Sequence, residues 1–218
     1  MKRFLFITLF LVLFVTIPFS LFAQKPTAVD MGLSVKWANF NLGATSPEGY
    51  GDYYAWGELK PKTAYTMDTY TMIKGDIFTK YNYMSEYGPV DNKYQFSHYK
   101  YVDDVARAKL GGKWRIPTQA EISELLDISL CEWKRTTQNG VNGYLVTSYK
   151  TGNSIFLPLA GLWNGTYCTR RGESGYYWSS SLNAYTPLRA WDLTLEWNFA
   201  DIYPDARWYG FSIRPVTD

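Results

Sequence analysis

The chain is poor in the residues from which most catalytic and metal centres are built. It has one histidine, His98, and two cysteines, Cys131 and Cys168, in 218 residues. A lone histidine excludes a multi-histidine metal centre and any triad that needs a second imidazole, and His98 reads as a surface residue. There is no glycine-rich phosphate loop. Ser179-Ser180-Ser181 lacks the flanking glycines and the strand-to-helix turn of a nucleophile elbow. No segment repeats at a fixed period, which excludes solenoids and propellers. Beyond residue 23 no apolar run is long enough to cross a bilayer as a helix. An excess of either charge is missing as well: the 22 Lys+Arg, less Lys2 and Arg3, balance 20 Asp+Glu. That balance argues against a nucleic-acid partner, which requires a basic face.

Residues 1–23 read as a signal peptide. Lys2 and Arg3 form a positive start, residues 4–15 are almost unbroken apolar sequence, and Pro18 and Ser20 break the run before Ala23. Leu21, at the −3 position, is larger than usual for a cleavage site. Residues 24–218 are then one domain, secreted, periplasmic or on the outer surface, and long enough to bury a sizeable core. In such a compartment two cysteines permit one disulfide, and the sequence leaves the pairing of Cys131 with Cys168 open.

Aromatic residues are abundant, at 18% of the chain, with 19 Tyr and 9 Trp. Their rings can fill a core while their polar tips find water or backbone partners. Local chemistry is clearest in residues 111–122. Pro117 holds Ile116 extended, and Thr118 and Glu121 stand at capping-box spacing. Ile122, Leu125 and Leu126 then give one apolar face, which predicts a helix from Thr118 to about Ile128. A second helix is predicted over residues 103–110, capped by Asp103 or Asp104 and stopped by Gly111. Strands are expected at 28–38, 53–58, 131–137, 143–148, 154–158, 176–181, 190–197 and 208–216. Gln138-Asn139-Gly140 and Asn164-Gly165 are turns. Residues 60–100 show no steady period and read as a long insertion crossing the surface.

Four segments resemble a known family. They are Trp114-Arg115-Ile116-Pro117-Thr118-Gln119-Ala120-Glu121, residues 29–38, Tyr177-Trp178-Ser179-Ser180-Ser181, and residues 210–216. They are similar to the signature of the Fibrobacter succinogenes major paralogous domain family, a group of secreted bacterial domains. That group is in turn distantly similar to the formylglycine-generating-enzyme/sulfatase-modifying-factor family. The resemblance implies an α+β, C-type-lectin-like fold with two short helices, a twisted and mainly antiparallel sheet, and long loops. The enzymes of the distant family work through paired cysteines that bind copper. By order along the chain these would lie between residues 190–195 and 210–216, where this sequence has no Cys. No catalytic residue is therefore assigned.

The expectation is an exported, non-catalytic envelope or surface domain for recognition or adhesion, with a glycan or protein partner. A divergent formylglycine-generating-type enzyme and a structural subunit of an envelope appendage are the alternatives. The candidate ligand-binding residues are Trp163, Asn164, Tyr167, Arg170 and Arg171, in a loop-like run of rings, amides and guanidiniums. No metal ligand or cofactor is assigned. Ser46-Pro47-Glu48 and Trp191-Asp192 are distant echoes of the calcium motifs of C-type lectins, so calcium stays open. Trp191 is expected in the core with Asp192 outward. Glu196, Asp201 and Asp205 read as scattered surface acids, while Arg115 and Arg214 are expected to bond loop carbonyls, Glu121 or Asp192.

Overall fold

In the computed structural model residues 25–218 are described, so the leader assignment lies outside them. The N-terminal expectation of one strand over 28–38 is corrected first. The alternation is interrupted at Gly32, whose φ of +67° suits glycine, and the chain turns back on itself. The result is two short strands, β1 (Ala28–Val29) and β2 (Lys36–Ala38), paired antiparallel. No strand forms over 53–58. Tyr54 instead makes an isolated two-way backbone bridge with Phe211.

Residues 60–100 depart most from the sequence reading. They hold one small hairpin, β3 (Ile73–Lys74) with β4 (Ile77–Phe78), and three single turns of 3₁₀ helix. Rather than crossing the surface, they supply Tyr65, Tyr70, Met72, Phe78, Tyr81 and Phe96 to the interior. The segment lacks a period because its side chains are buried one turn at a time from irregular backbone, not along one face of an element.

Helix α1 (Val105–Leu110) starts at Asp104, whose carboxylate accepts from the N–H of Arg107 at 3.0 Å, and ends at Gly111 with φ +70°. The same carboxylate accepts from the N–H of Ile116, so one buried acid ties the helix start to the extended segment before Pro117. Burial pushes this acid up to about 6, against the pull of those amides. Helix α2 (Gln119–Leu126) follows with both halves of the Thr118/Glu121 capping box formed. Arg115 forks onto Glu121 at 2.5 and 2.8 Å, and its backbone exchanges hydrogen bonds with Val216. Burial works to raise the Glu121 acid, but Arg115 and the Thr118 N–H outweigh it and hold it below the usual carboxylate range.

The remaining strands are β5 (Cys131–Gln138), β6 (Val141–Ser148), β7 (Ser154–Pro158), β8 (Leu162–Asn164), β9 (Tyr167–Thr169), β10 (Gly175–Leu182), β11 (Arg189–Leu195), β12 (Ala200–Ala206) and β13 (Val216–Thr217). The β5–β6 turn is Asn139-Gly140, both at positive φ, as a two-residue hairpin demands. In place of one sheet, the described residues form five small antiparallel sheets: β1-β2-β13, β3-β4, β5-β6-β7, β8-β9 and β10-β11-β12. Over the described residues the architecture is α+β with two short helices.

The β10-β11-β12 sheet divides two cores. Tyr176 and Trp178 point into an aromatic core with Tyr54, Trp56, Tyr70, Phe78, Tyr81 and Phe211. Tyr177, Leu193 and Leu195 point into an aliphatic core with Ile122, Leu125, Val146, Ile155 and Leu157, against which α2 packs. This is the alternation of a pleated sheet covered on both faces. The tyrosine-rich composition has a physical use here. Irregular backbone leaves carbonyls without ladder partners, and buried hydroxyls satisfy them. Tyr53 donates to the Ala160 carbonyl at 2.5 Å, Tyr65 to Tyr53 at 2.6 Å, Tyr70 to Trp56 at 2.7 Å and Tyr177 to Pro158 at 2.5 Å. The indole N–H groups of Trp56 and Trp178 donate to the carbonyls of Ser179 and Tyr54.

Candidate recognition surface

The run expected as a loop at 163–174 begins as a hairpin. Strands β8 and β9 pair in register around Gly165, whose φ is +64°. Its tip is pinned by reciprocal backbone bonds between Tyr65 and Gly165, and its first strand by the same pattern between Trp163 and Gly210. The hairpin is therefore a rigid projection, which suits a binding surface better than a free loop does.

Its five candidate residues do not converge on one pocket. Trp163 is half-buried, its ring 6.4 Å from Tyr53 and 6.0 Å from Tyr65, so it serves the core. Arg171 lies over the rings of Tyr50 and Tyr53 and donates to the Tyr53 hydroxyl at 3.3 Å. Asn164 is exposed, and Tyr167 is 74% exposed. Arg170 turns away from Arg171. It donates to the Tyr176 hydroxyl and to Glu196, both at 2.9 Å. Glu196 also accepts from Ser174 at 2.9 Å and from the Tyr176 hydroxyl at 3.2 Å, so its carboxylate is held at three points.

Glu196 marks the head of a cleft that the sequence did not reveal. The cleft has a volume of about 390 Å³, and Tyr176, Arg189, Glu196, Phe199, Tyr203 and Asp205 line it. It exists because β12 forms, a strand missed in the sequence because Pro204 interrupts the pattern. Strand β12 is the outer strand of its sheet, where proline is tolerated. Of the three acids read as scattered, Glu196 and Asp205 meet in this cleft while Asp201 is exposed elsewhere on β12. The nearby Trp197 is 65% exposed, yet the Arg135 guanidinium sits 3.4 Å from its ring centre and fixes it.

Asp192 corrects another expectation. It pairs across from Trp178, which places it fully buried on the aromatic face, while Trp191 is half-buried on the opposite one. The expectation assumed one wet sheet face, and this sheet has none at that position. Thr194 donates to one Asp192 oxygen at 2.7 Å; the other has no partner. Burial, with the charge of Asp205 adding to it, raises the Asp192 acid well above the usual carboxylate range. The sign of the pH effect follows. An acid raised in the folded state stabilises below its unfolded value of about 4, and that contribution is lost as pH rises toward the folded value. Asp192→Asn keeps the shape without the charge, so it should stabilise the domain at pH 8 by about 1–3 kcal/mol and change little at pH 4. Urea unfolding at the two pH values checks this. An equal effect at both would show that Asp192 titrates normally.

A cavity of about 440 Å³ lies among Glu58, Lys60, Lys62, Met72, Lys80 and Asp103. Four of its charges form two pairs: Lys62 meets Glu58 and Lys80 meets Asp103, each at 2.9 Å. Glu58 also accepts from the Thr71 N–H at 2.8 Å, so Glu58 draws residues 58–71 together, while Lys80 ties the segment to Asp103 ahead of α1. Cys131 is buried in the aliphatic core and Cys168 lies half-buried against the aromatic core, both as free thiols. Arg214 bonds Asn41 and two carbonyls, not Asp192. His98 is exposed, and its Nδ1 accepts from the Tyr94 N–H. Among the described residues no group of three or more His, Cys, Asp or Glu is placed to hold a metal, and no helix is long and apolar enough to cross a membrane. Compared with protein-family models, curated proteins and solved structures, the chain matches none.

Proposed function

We propose that the chain is an exported, non-catalytic recognition module of C-type-lectin-like fold, binding a glycan or a protein at the cell envelope. The observation that carries this reading is the Arg170–Glu196 pair. It ties the residue that follows the β8–β9 hairpin to the residue that follows β11, beside the exposed rings of Tyr167 and Trp197. Rigid aromatic side chains give contact area at small entropic cost, and fixed charged groups beside them give direction. The signal-peptide pattern of residues 1–23 supports export. The separate thiols support a binding role over the oxidase chemistry of the distantly similar enzymes.

Glycan and protein arrays probed with residues 24–218 test the reading. A retained binder whose affinity falls at least about tenfold in the Tyr167→Ala/Arg170→Ala double variant is expected. Absence of any binder on both arrays, with the chain recovered from cells only in high-mass crosslinked assemblies, would replace it with an appendage subunit. Trp163→Ala is a poor probe, since its ring supports Tyr53 and Tyr65.

A further inference from the structure

The cleft beside Glu196 has a composition that narrows its ligand, and the inference rests on the recognition reading above. Phe199 and Tyr203 are each 45% exposed, with ring centres 6.2 Å apart and planes at 58°, so they form two angled walls. Asp205 follows Tyr203 by two residues on the edge strand and so shares its face. Arg189, at the start of β11, also lines the cleft; one guanidinium nitrogen donates to the Pro204 carbonyl at 3.1 Å. The volume of about 390 Å³ falls within the range of about 300–1,000 Å³ typical of small-ligand sites.

Charge discriminates among ligand classes. Arg170 pairs with Glu196, and Arg189 lines the cleft together with Asp205, so two guanidiniums stand against two acids. An anionic ligand would meet two carboxylates, and a cationic one two guanidiniums. A neutral ligand with an apolar face and several hydroxyls meets neither penalty. Its C–H face can lie against an aromatic ring. Adjacent hydroxyls can donate to the Asp205 carboxylate and accept from the Arg189 fork. We infer that the cleft between β11 and β12 binds a neutral saccharide, one pyranose ring packed on Tyr203 and Phe199 with vicinal hydroxyls on Asp205 and Arg189.

Calorimetric titration of residues 24–218 with neutral hexasaccharides (gluco-, manno-, xylo- and galacto-configured), and with oligogalacturonate as the charged control, tests it. At least one neutral hexasaccharide should bind, and oligogalacturonate should bind at least about tenfold more weakly. Tyr203→Ala, Phe199→Ala and Asp205→Ala should each weaken binding at least about tenfold, while Tyr149→Ala, on another exposed face, changes it less than about twofold. Three variants on a partly exposed edge guard against one failing to fold. Three outcomes would overturn the inference: neutral sugars bind but ignore all three changes, the charged control binds as well or better, or no hexasaccharide binds. If a protein partner is nonetheless found whose binding depends on Tyr167 and Arg170, the recognition reading survives; if neither array yields a binder, both fall together.

Discussion

Arg207→Met should cost the fold about 4 kcal/mol, among the largest effects of any single substitution here. Arg207 is fully buried, and no carboxylate pairs with it. Its Nε donates to the Tyr70 hydroxyl at 3.0 Å. Its Nη1 donates to the carbonyls of Tyr81 at 3.2 Å and Pro187 at 3.0 Å, and its Nη2 to the Lys80 carbonyl at 3.2 Å. The plane is caged by Phe78 at 4.4 Å, Trp56 at 4.8 Å and Tyr70 at 5.4 Å. Methionine keeps the stem and its packing but leaves three carbonyls buried without donors, each costing about 1–3 kcal/mol. Recovering the desolvation cost of the guanidinium offsets part of that. Lysine should not rescue, because a single ammonium cannot reach acceptors spread around a planar fork. Urea unfolding followed by tryptophan fluorescence decides it. A loss under about 0.5 kcal/mol, as at an ordinary surface site, would show that residues 80–81 and 187 are held by something else.

Arg214→Ala should cost nearly as much, about 3–4 kcal/mol, and its effect should be local to the chain ends. The side chain is buried and donates to Asn41 Oδ1 at 2.9 Å, the Ala38 carbonyl at 3.0 Å and the Phe156 carbonyl at 2.7 Å. Asn41 in turn donates to the Tyr50 carbonyl at 3.0 Å. One guanidinium thus joins the end of β2, strand β7 and the last segment of the chain. Without it the β1-β2-β13 sheet keeps only its short ladders, and amide exchange at Ala38 and Val216 should accelerate far more than in β10. Uniform acceleration throughout would mean that Arg214 supports the whole fold and not that junction.

These two arginines explain which parts of the molecule its sequence disclosed. Thr118, Glu121, Asn139 and Gly140 act on neighbours two or three residues away, so their patterns predicted α2 and the β5–β6 turn. The 60–100 segment is specified by partners far off in the chain: Tyr65 bonds Gly165, and Arg207 bonds Lys80 from 127 residues away. No local period records such contacts. Strand β12 was hidden by Pro204, and the burial of Asp192 by the second core that covers its sheet face. Among the candidate site residues, the rings and charges of the β8–β9 hairpin were visible by type. That Arg170 and Arg171 diverge, and that Arg170 leads to a cleft on β11 and β12, depends on how two distant hairpins meet.

Irregular backbone is made rigid by buried hydroxyls and guanidiniums, and the proposed recognition surface stands on that frame. Amide hydrogen exchange across residues 60–100 of the unmodified domain tests it most directly. The N–H of Tyr65, bonded to Gly165, and that of Thr79, bonded to Met72, should exchange as slowly as amides in β10 and β11. Exchange at those two positions as fast as in an unstructured peptide, with β10 and β11 still protected, would contradict it.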